Sequence, residues 1–258
     1  MYKLDNSFTN NRFAVTVVGC GGTGGFAAEG ICRLLPQQTK LVLIDPDRVE
    51  ERNLTRQCFY KEDLGKFKSE ALAQRLARKF DRLIGYSTLP VRMAEILYPG
   101  LIIGCVDNGP ARQDIHTLIK NGVYSYPTPP LWWVDAGNGE DFGQVLIGNS
   151  ETISSCVPAE GIYHALPLPT LQRPDLLNQA PRGRDCAAIA EEQGPTINLA
   201  MAALVVEVVH RLITGTCTWV QLYIDLKAGT LVSVPAIPTS IKSIWGIKKG
   251  KRKEVIHE

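Results

Sequence analysis

FAVTVVGCGGTGGFAAEGICRLL (residues 13–35), followed after Pro36 by LVLID (41–45), is the stretch whose reading decides the fold. Its first seven residues are a β-branched apolar run of the kind that fills the centre of a parallel sheet covered on both faces. Glycines follow at once in GCGGTGG (19–25), and FAAEGICRLL then spaces apolar residues for a helix until Pro36 ends the pattern. LVLI is a second strand, closed by Asp45. Strand, glycine loop, helix and strand together make a unit of roughly thirty residues, the phosphate-binding half of a doubly wound sheet.

Working outward, KSEALAQRLARKF (68–80) places Leu72, Leu76 and Phe80 on one helical face with charge on the other. LIIGCVD (101–107) repeats the buried-strand pattern, and ARQDIHTLIKNG (111–122) reads as the helix after it, with a glycine stop. LWWVDAG (131–137) and FGQVLIG (142–148) are strands joined so closely that an antiparallel addition is expected. Pro, Ser, Gln and Arg dominate 150–185, which reads as a long variable loop. TINLAMAALVVEVVHRLI (196–213) is apolar nearly all round and predicts a buried helix, with His210 packed in the core. WVQLYIDL and TLVSVP pair around a turn at Lys227 to Gly229, and the charged tail 248–258 is expected to fray. The expected architecture is α/β: one Rossmann-like domain over 1–258, its doubly wound sheet mostly parallel with antiparallel strands in the C-terminal part.

Composition narrows the function. The 258 residues carry 28 Lys+Arg against 26 Asp+Glu, a net +2 that argues against wholesale electrostatic capture of nucleic acid. The seven cysteines include no Cys-x-x-Cys, which removes the commonest zinc signature, and an odd number at irregular spacing argues against a disulfide framework. A reducing, cytoplasmic setting is the default. The longest uncharged run, Phe13 to Ala28, is short and broken by glycines, so no membrane span is expected.

Gly19, Gly21 and Gly24 fit G-x-G-x-x-G between strand and helix. The chemistry asks for a tight turn, a close backbone approach to phosphate and close helix packing, with the helix N-terminus facing the anion. Asp45, twenty-one residues past Gly24, stands where a ribose hydroxyl acceptor belongs. The same glycines would also serve simply to pack a helix on a sheet. Arg56 and Lys68, twelve residues apart, offer two cations for a triphosphate, with Asn53 as a neutral donor. Asp107 ends a strand where open α/β sheets bind ligands; an acid there either holds a cation or caps the next helix. Asp47 either faces the nucleotide or closes an Asx turn. Arg112 either reaches the nucleotide or neutralises a buried acid.

Asp45-x-Asp47-x-Val49, Asn53-Leu54-x-Arg56-Gln57, Gly65-x-x-Lys68 and CVDNGPAR (105–112) resemble, in order and spacing, the adenylation domain of the ThiF and MoeB family, which includes ubiquitin-like-protein activating enzymes. EEQGPTINLAMAALVVEVVHRLITG (191–215) is similar as well, so the likeness spans most of the chain apart from 150–185, with the bacterial PRTRC-cassette ThiF-like proteins resembled most. The resemblance implies ATP-dependent adenylation of the C-terminal carboxylate of a small ubiquitin-like or sulfur-carrier protein ending in a Gly-Gly type sequence. It implies ATP binding by Gly19, Gly21, Gly22, Gly24, Asp45, Asp47, Asn53, Arg56, Gln57 and Lys68, with Mg²⁺ on Asp107. DCAAIAEEQGP (185–195) is similar to the segment in which some members carry an acyl-accepting cysteine. That makes Cys186 the candidate nucleophile and Cys156 a weaker one, against the ordinary reading of a cysteine as small core filling.

Two departures stand out. The family's paired zinc ligands are missing, so no zinc is expected, and the N-terminal segment is too short to show the arginine that a partner subunit contributes in some members, which leaves a homodimer open. An NAD-dependent oxidoreductase and a non-catalytic nucleotide-binding scaffold are the competing functions.

Overall fold

A computed structural model describes residues 13–93, 100–120, 131–152, 165–179 and 195–251. The opening unit folds as its pattern demands, with β1 (Ala14–Val18), α1 (Gly22–Leu34) and β2 (Lys40–Ile44). Next come α2 (Lys68–Phe80), β3 (Ile84–Ser87), β4 (Gly100–Gly104), α3 (Gly109–Lys120), β5 (Trp132–Asn138) and β6 (Phe142–Gly148). The C-terminal part supplies α4 (Pro195–Thr214), β7 (Trp219–Asp225), β8 (Thr230–Pro235) and α5 (Pro238–Lys251).

The eight strands lie in the order β3-β2-β1-β4-β5-β6-β7-β8. Pairing is parallel from β3 through β5 and antiparallel from β5 through β8. The chain leaves β1 toward β2 on one side and returns to β4 on the other, so a crevice opens at the carboxyl ends of β1, β2 and β4. Register aligns those ends. Val18 pairs with both Ile44 and Gly104, which puts Gly19, Asp45 and Cys105 side by side at the rim.

Strand pleating splits the core in two. Val15, Val17, Leu41, Leu43, Ile103 and Trp132 pack toward α1, α2 and α4. Val18, Ile44, Ile102 and Trp133 face Ile115 of α3 and Leu168 on the opposite side. The adjacent tryptophans thus serve different layers.

Several expectations change. β3 gave no sequence signal, because IGYS is four residues long, half polar and exposed at two positions at a sheet edge. Within 150–185, the described part holds a helical turn at Pro169–Gln172 and fully buried Leu166 and Leu168. The α5 helix runs to Lys251, into the segment read as a frayed tail. Helix α4 is long and apolar enough by composition to cross a bilayer, yet it lies against α1, β5 and β6. Among the described residues one side of it is covered, and Leu199, Ala203 and His210 on the other are exposed. That corrects the reading of His210 as a core residue: apolarity all round hid which face the sheet would take.

Arg82 is a structural residue that no local pattern announces. It is buried, and it donates from Nη1 to the carbonyls of Cys32 (3.2 Å) and Leu35 (3.3 Å) and from Nη2 to those of Pro36 (3.1 Å) and Thr39 (2.6 Å). These carbonyls sit at and just beyond the C-terminus of α1, where backbone acceptors have no helical donor. Replacing Arg82 with alanine is expected to cost about 2–3 kcal/mol in urea unfolding, since charge-assisted bonds to acceptors at the buried end of α1 are lost. A loss under about 0.5 kcal/mol would contradict this role.

Candidate active site

At the carboxyl ends of the strands lies a cleft of about 970 Å³, lined among others by Gly19, Gly21, Gly22, Asp45, Asp47, Asn53, Arg56, Gln57, Lys68 and Asp107. Every residue singled out for nucleotide binding borders it except Gly24, which lies beneath. Gly19 has a φ of 89°, and its N–H donates to the Ile44 carbonyl at 2.9 Å. A Cβ on Gly24 would overlap the Gly19 carbonyl oxygen, so the third glycine packs the helix while the others approach the cleft. Helix α1 begins at Gly21 with no side-chain cap and no acid in its first turn. Its N-terminal dipole and N–H groups are therefore left for an anion.

Asp45 anchors that loop. Its Oδ2 accepts the Cys20 N–H at 2.6 Å and its Oδ1 the Asp47 N–H at 2.8 Å. Burial pushes its carboxyl up to about 6, with Lys68 and the two N–H donors pulling down and Asp47 pushing further up. Lys68 opens α2, where a cation opposes the helix dipole. Its side chain is 10% exposed and meets Asp47, 68% exposed, at 3.1 Å. A buried ammonium paired with a solvated carboxylate is well placed to exchange that partner for phosphate.

Asn53 takes the Glu50 N–H on its Oδ1 at 2.9 Å, leaving its amide nitrogen as the donor. Gln57 lies against Gly21, and its Oε1 is buried without a hydrogen-bond partner. The sequence reading missed Asn198, Thr23 and Asn138, which also line the cleft. A buried asparagine inside the apolar run TINLAMAALVV was the available signal for the first of them.

On the far wall, the capping question is resolved. Asn108 Oδ1 accepts the Ala111 N–H at 2.9 Å and so caps α3. Asp107 is thereby relieved of that duty, and its Oδ1 accepts from Asn108 Nδ2 at 3.1 Å. Mg²⁺ characteristically takes one or two protein carboxylates and fills its remaining positions with water and substrate phosphates. Asp107 suits that donor set as one such carboxylate. Arg112, also left open, neutralises a buried acid: its Nε meets Asp135 Oδ2 at 3.0 Å, its Nη1 meets Gln179 Oε1 at 2.6 Å, and its Nη2 meets the Val106 carbonyl at 2.7 Å. Burial raises the Asp135 carboxyl while Arg112 lowers it.

Of the cysteines, Cys20, Cys32 and Cys217 are buried, and Cys58 and Cys105 pack against the core. Burial pushes the Cys105 thiol up to about 12, which keeps it protonated and inert. Cys156 and Cys186 lie outside the described residues. His116 joins α3 to its neighbours, with Nδ1 2.6 Å from Thr170 Oγ1 and Nε2 2.8 Å from Glu151 Oε1.

A strand-end crevice combining a glycine loop, a buried acid and flanking cations defines a nucleotide-binding α/β protein. The ThiF family profile matches residues 9–222, and the chain belongs to the ThiF family. Ubiquitin-like modifier-activating enzyme 5 of Arabidopsis thaliana is 25% identical over 195 residues, covering 66% of this chain and 43% of the relative. The protein of the same name from Dictyostelium discoideum is 28% identical over 191 residues, 65% of this chain and 48% of its own. The chain thus spans less than half the length of these relatives. In fold, E. coli MccB with AMPCPP and MccA matches with a TM-score of 0.59 at 16% identity, covering 88% of this chain and 64% of that one. PaaA matches with a TM-score of 0.57 at 16% identity over the same shares.

The raised Asp45 pKa sets a pH test. An unfolded aspartate ionises near 3.9, so the native chain gives up its proton later than the unfolded one. The stability this contributes is full below about 4 and is lost as pH rises through about 6. The Asp45 carboxyl ¹³C shift in the ligand-free protein is expected to titrate near pH 6; a midpoint below about 4.5 would contradict the burial argument.

Proposed function

We propose that this protein is an ATP-dependent adenylating enzyme acting on the C-terminal carboxylate of a small ubiquitin-like or sulfur-carrier protein. One observation carries the reading: a glycine loop, Asp45, Arg56, Lys68 and Asp107 border a single cleft at the strand ends. An oxidoreductase would need the glycine loop and Asp45 but has no use for two cations and a second acid beyond them. The ubiquitin-like modifier-activating relatives support a protein substrate. E. coli MccB, alike in fold, has been crystallised with ATP and with MccA.

In this mechanism a carboxylate oxygen of the partner attacks the α-phosphorus of ATP. The bond from that phosphorus to the bridging oxygen breaks, and pyrophosphate leaves an acyl adenylate behind. The nucleophile is already an anion, so no base is required, and the protein's task is alignment and charge compensation. Asp45 accepts from the ribose, and the N-terminus of α1 faces the phosphates. Lys68 turns from Asp47 to phosphate, and Arg56 with the Asn53 amide steadies the departing pyrophosphate. Asp107 would hold Mg²⁺, which when bound neutralises charge on the phosphates. Subsequent attack by the Cys186 thiolate on the acyl carbonyl, releasing AMP, extends the scheme to a thioester.

Exchange of labelled pyrophosphate into ATP, dependent on an added protein ending in Gly-Gly, is the expected activity. Arg56→Ala, Lys68→Ala and Asp107→Ala should each lower it by about a hundredfold or more. Exchange undiminished in Asp107→Ala would remove the metal assignment. ATP binding without exchange would favour the scaffold, and NAD(H) binding without ATP binding the oxidoreductase. For the thioester, an ATP-dependent, reducible adduct with the partner should form and be lost in Cys186→Ala; an undiminished adduct would eliminate that residue.

A further inference from the structure

Helix α4 brings one polar side chain into the cleft, and its contacts reach three separate elements. Asn198 is almost wholly buried. Its Oδ1 accepts from Thr23 Oγ1 in the first turn of α1 at 3.4 Å and from Asn138 Nδ2 at the end of β5 at 3.3 Å. Its Nδ2 donates to the backbone carbonyl of Arg56 at 3.3 Å. Thr23 Oγ1 also lies 3.2 Å from Asn138 Oδ1, so its one hydroxyl hydrogen is shared between the two amide oxygens. A Cβ on Gly22 would overlap the Asn198 amide, so the loop's missing side chain is what admits the asparagine.

Burying a carboxamide in an otherwise apolar helix costs several kcal/mol unless it is satisfied. At this site the satisfied amide accomplishes what an apolar residue cannot: it ties the glycine loop to the backbone of the segment that carries Arg56. Arg56 borders the cleft, while its carbonyl is held by α4. The hydrogen bonds are all 3.2–3.4 Å, longer than the usual range, so the network holds by the number of its contacts rather than by any one of them.

We infer that Asn198 is a positioning residue that sets the Arg56 segment against the glycine loop, so that Arg56 meets the outer phosphates of a bound nucleoside triphosphate. The inference rests on the proposed role of Arg56 at the triphosphate. Asn198 need not touch the nucleotide, since its effect passes through the Arg56 backbone and the first turn of α1.

A preference readout tests this apart from catalysis. ATP and AMP share adenine, ribose and the α-phosphate, so the ratio of their dissociation constants reports contacts to the outer phosphates alone. Calorimetry on the full chain is expected to give a clear preference for ATP, and Arg56→Ala should remove most of it. Asn198→Ala should lower the preference about tenfold, the usual scale for losing a residue that orients a binding group, while changing AMP affinity less than twofold. The double variant should be no worse than Arg56→Ala, because both act on one contact. Thr23→Val, nearly the same shape and free of a cavity, should lower the preference in the same direction by a smaller factor. It decides the matter if Asn198→Ala does not fold.

Equal losses for ATP and AMP, or full additivity with Arg56→Ala, would overturn the positioning role and leave Asn198 as packing. A native chain that binds ATP no better than AMP would overturn the placing of Arg56 itself. An ATP preference that survives both Asn198→Ala and Thr23→Val would overturn the role of Asn198 alone.

Discussion

A buried carboxylate holds the functional end of this molecule together. Asp45 ends the second strand, and its two oxygens take one N–H from the glycine loop and one from the segment that follows β2. Ionising a carboxyl in that position is unfavourable, as its raised pKa reflects, and the two N–H donors and the Lys68 charge offset the penalty only in part. The arrangement persists because Ser69 at the head of α2 also donates to the Asp45 carbonyl at 2.9 Å. Helix α2, the glycine loop and the strand end are thus drawn to one point, and the other cleft residues take their places relative to it.

Charge in the cleft is arranged by exchangeable pairs. Lys68 rests on Asp47, and Arg52 rests on Glu50 at 2.6 Å, so both cations are neutralised within the cleft. The acids in these pairs are largely exposed, and exposed pairs contribute little to stability. The Arg112 to Asp135 pair is of the opposite kind, with side chains 1% and 0% exposed. Removing either partner would leave a buried uncompensated charge, which suits a fixed strut under the loop that carries Asp107.

Much of this was legible in the chain. The α2 boundaries and its buried Leu72 and Leu76 follow from a 3.6-residue period, and β5 and β6 follow from two apolar runs too close together for a crossover. The cleft residues Gly19, Gly21, Asp45 and Asp107 were recognisable from their offsets to strand ends, and Arg56 and Lys68 from the resemblance to the ThiF and MoeB adenylation domain. Less was legible where burial is not periodic. The β3 strand is short and half polar, Leu166 and Leu168 hide within a proline-rich stretch, and α4 presents apolar residues on all sides, so its open face carried no mark.

By itself the sequence determined the βαβ unit, the switch from parallel to antiparallel pairing and the location of the cleft, because these depend on local periodicity and on glycines that only one backbone path accepts. The tertiary structure alone decided which partner each polar side chain takes. Arg112 finds Gln179 across 67 positions, Asn198 finds Arg56 across 142 and Thr23 across 175. Such pairings are set by which helix lies on which face of the sheet. That choice comes from burying apolar area over the whole fold, and a polar residue's neighbours are fixed only once it has been made.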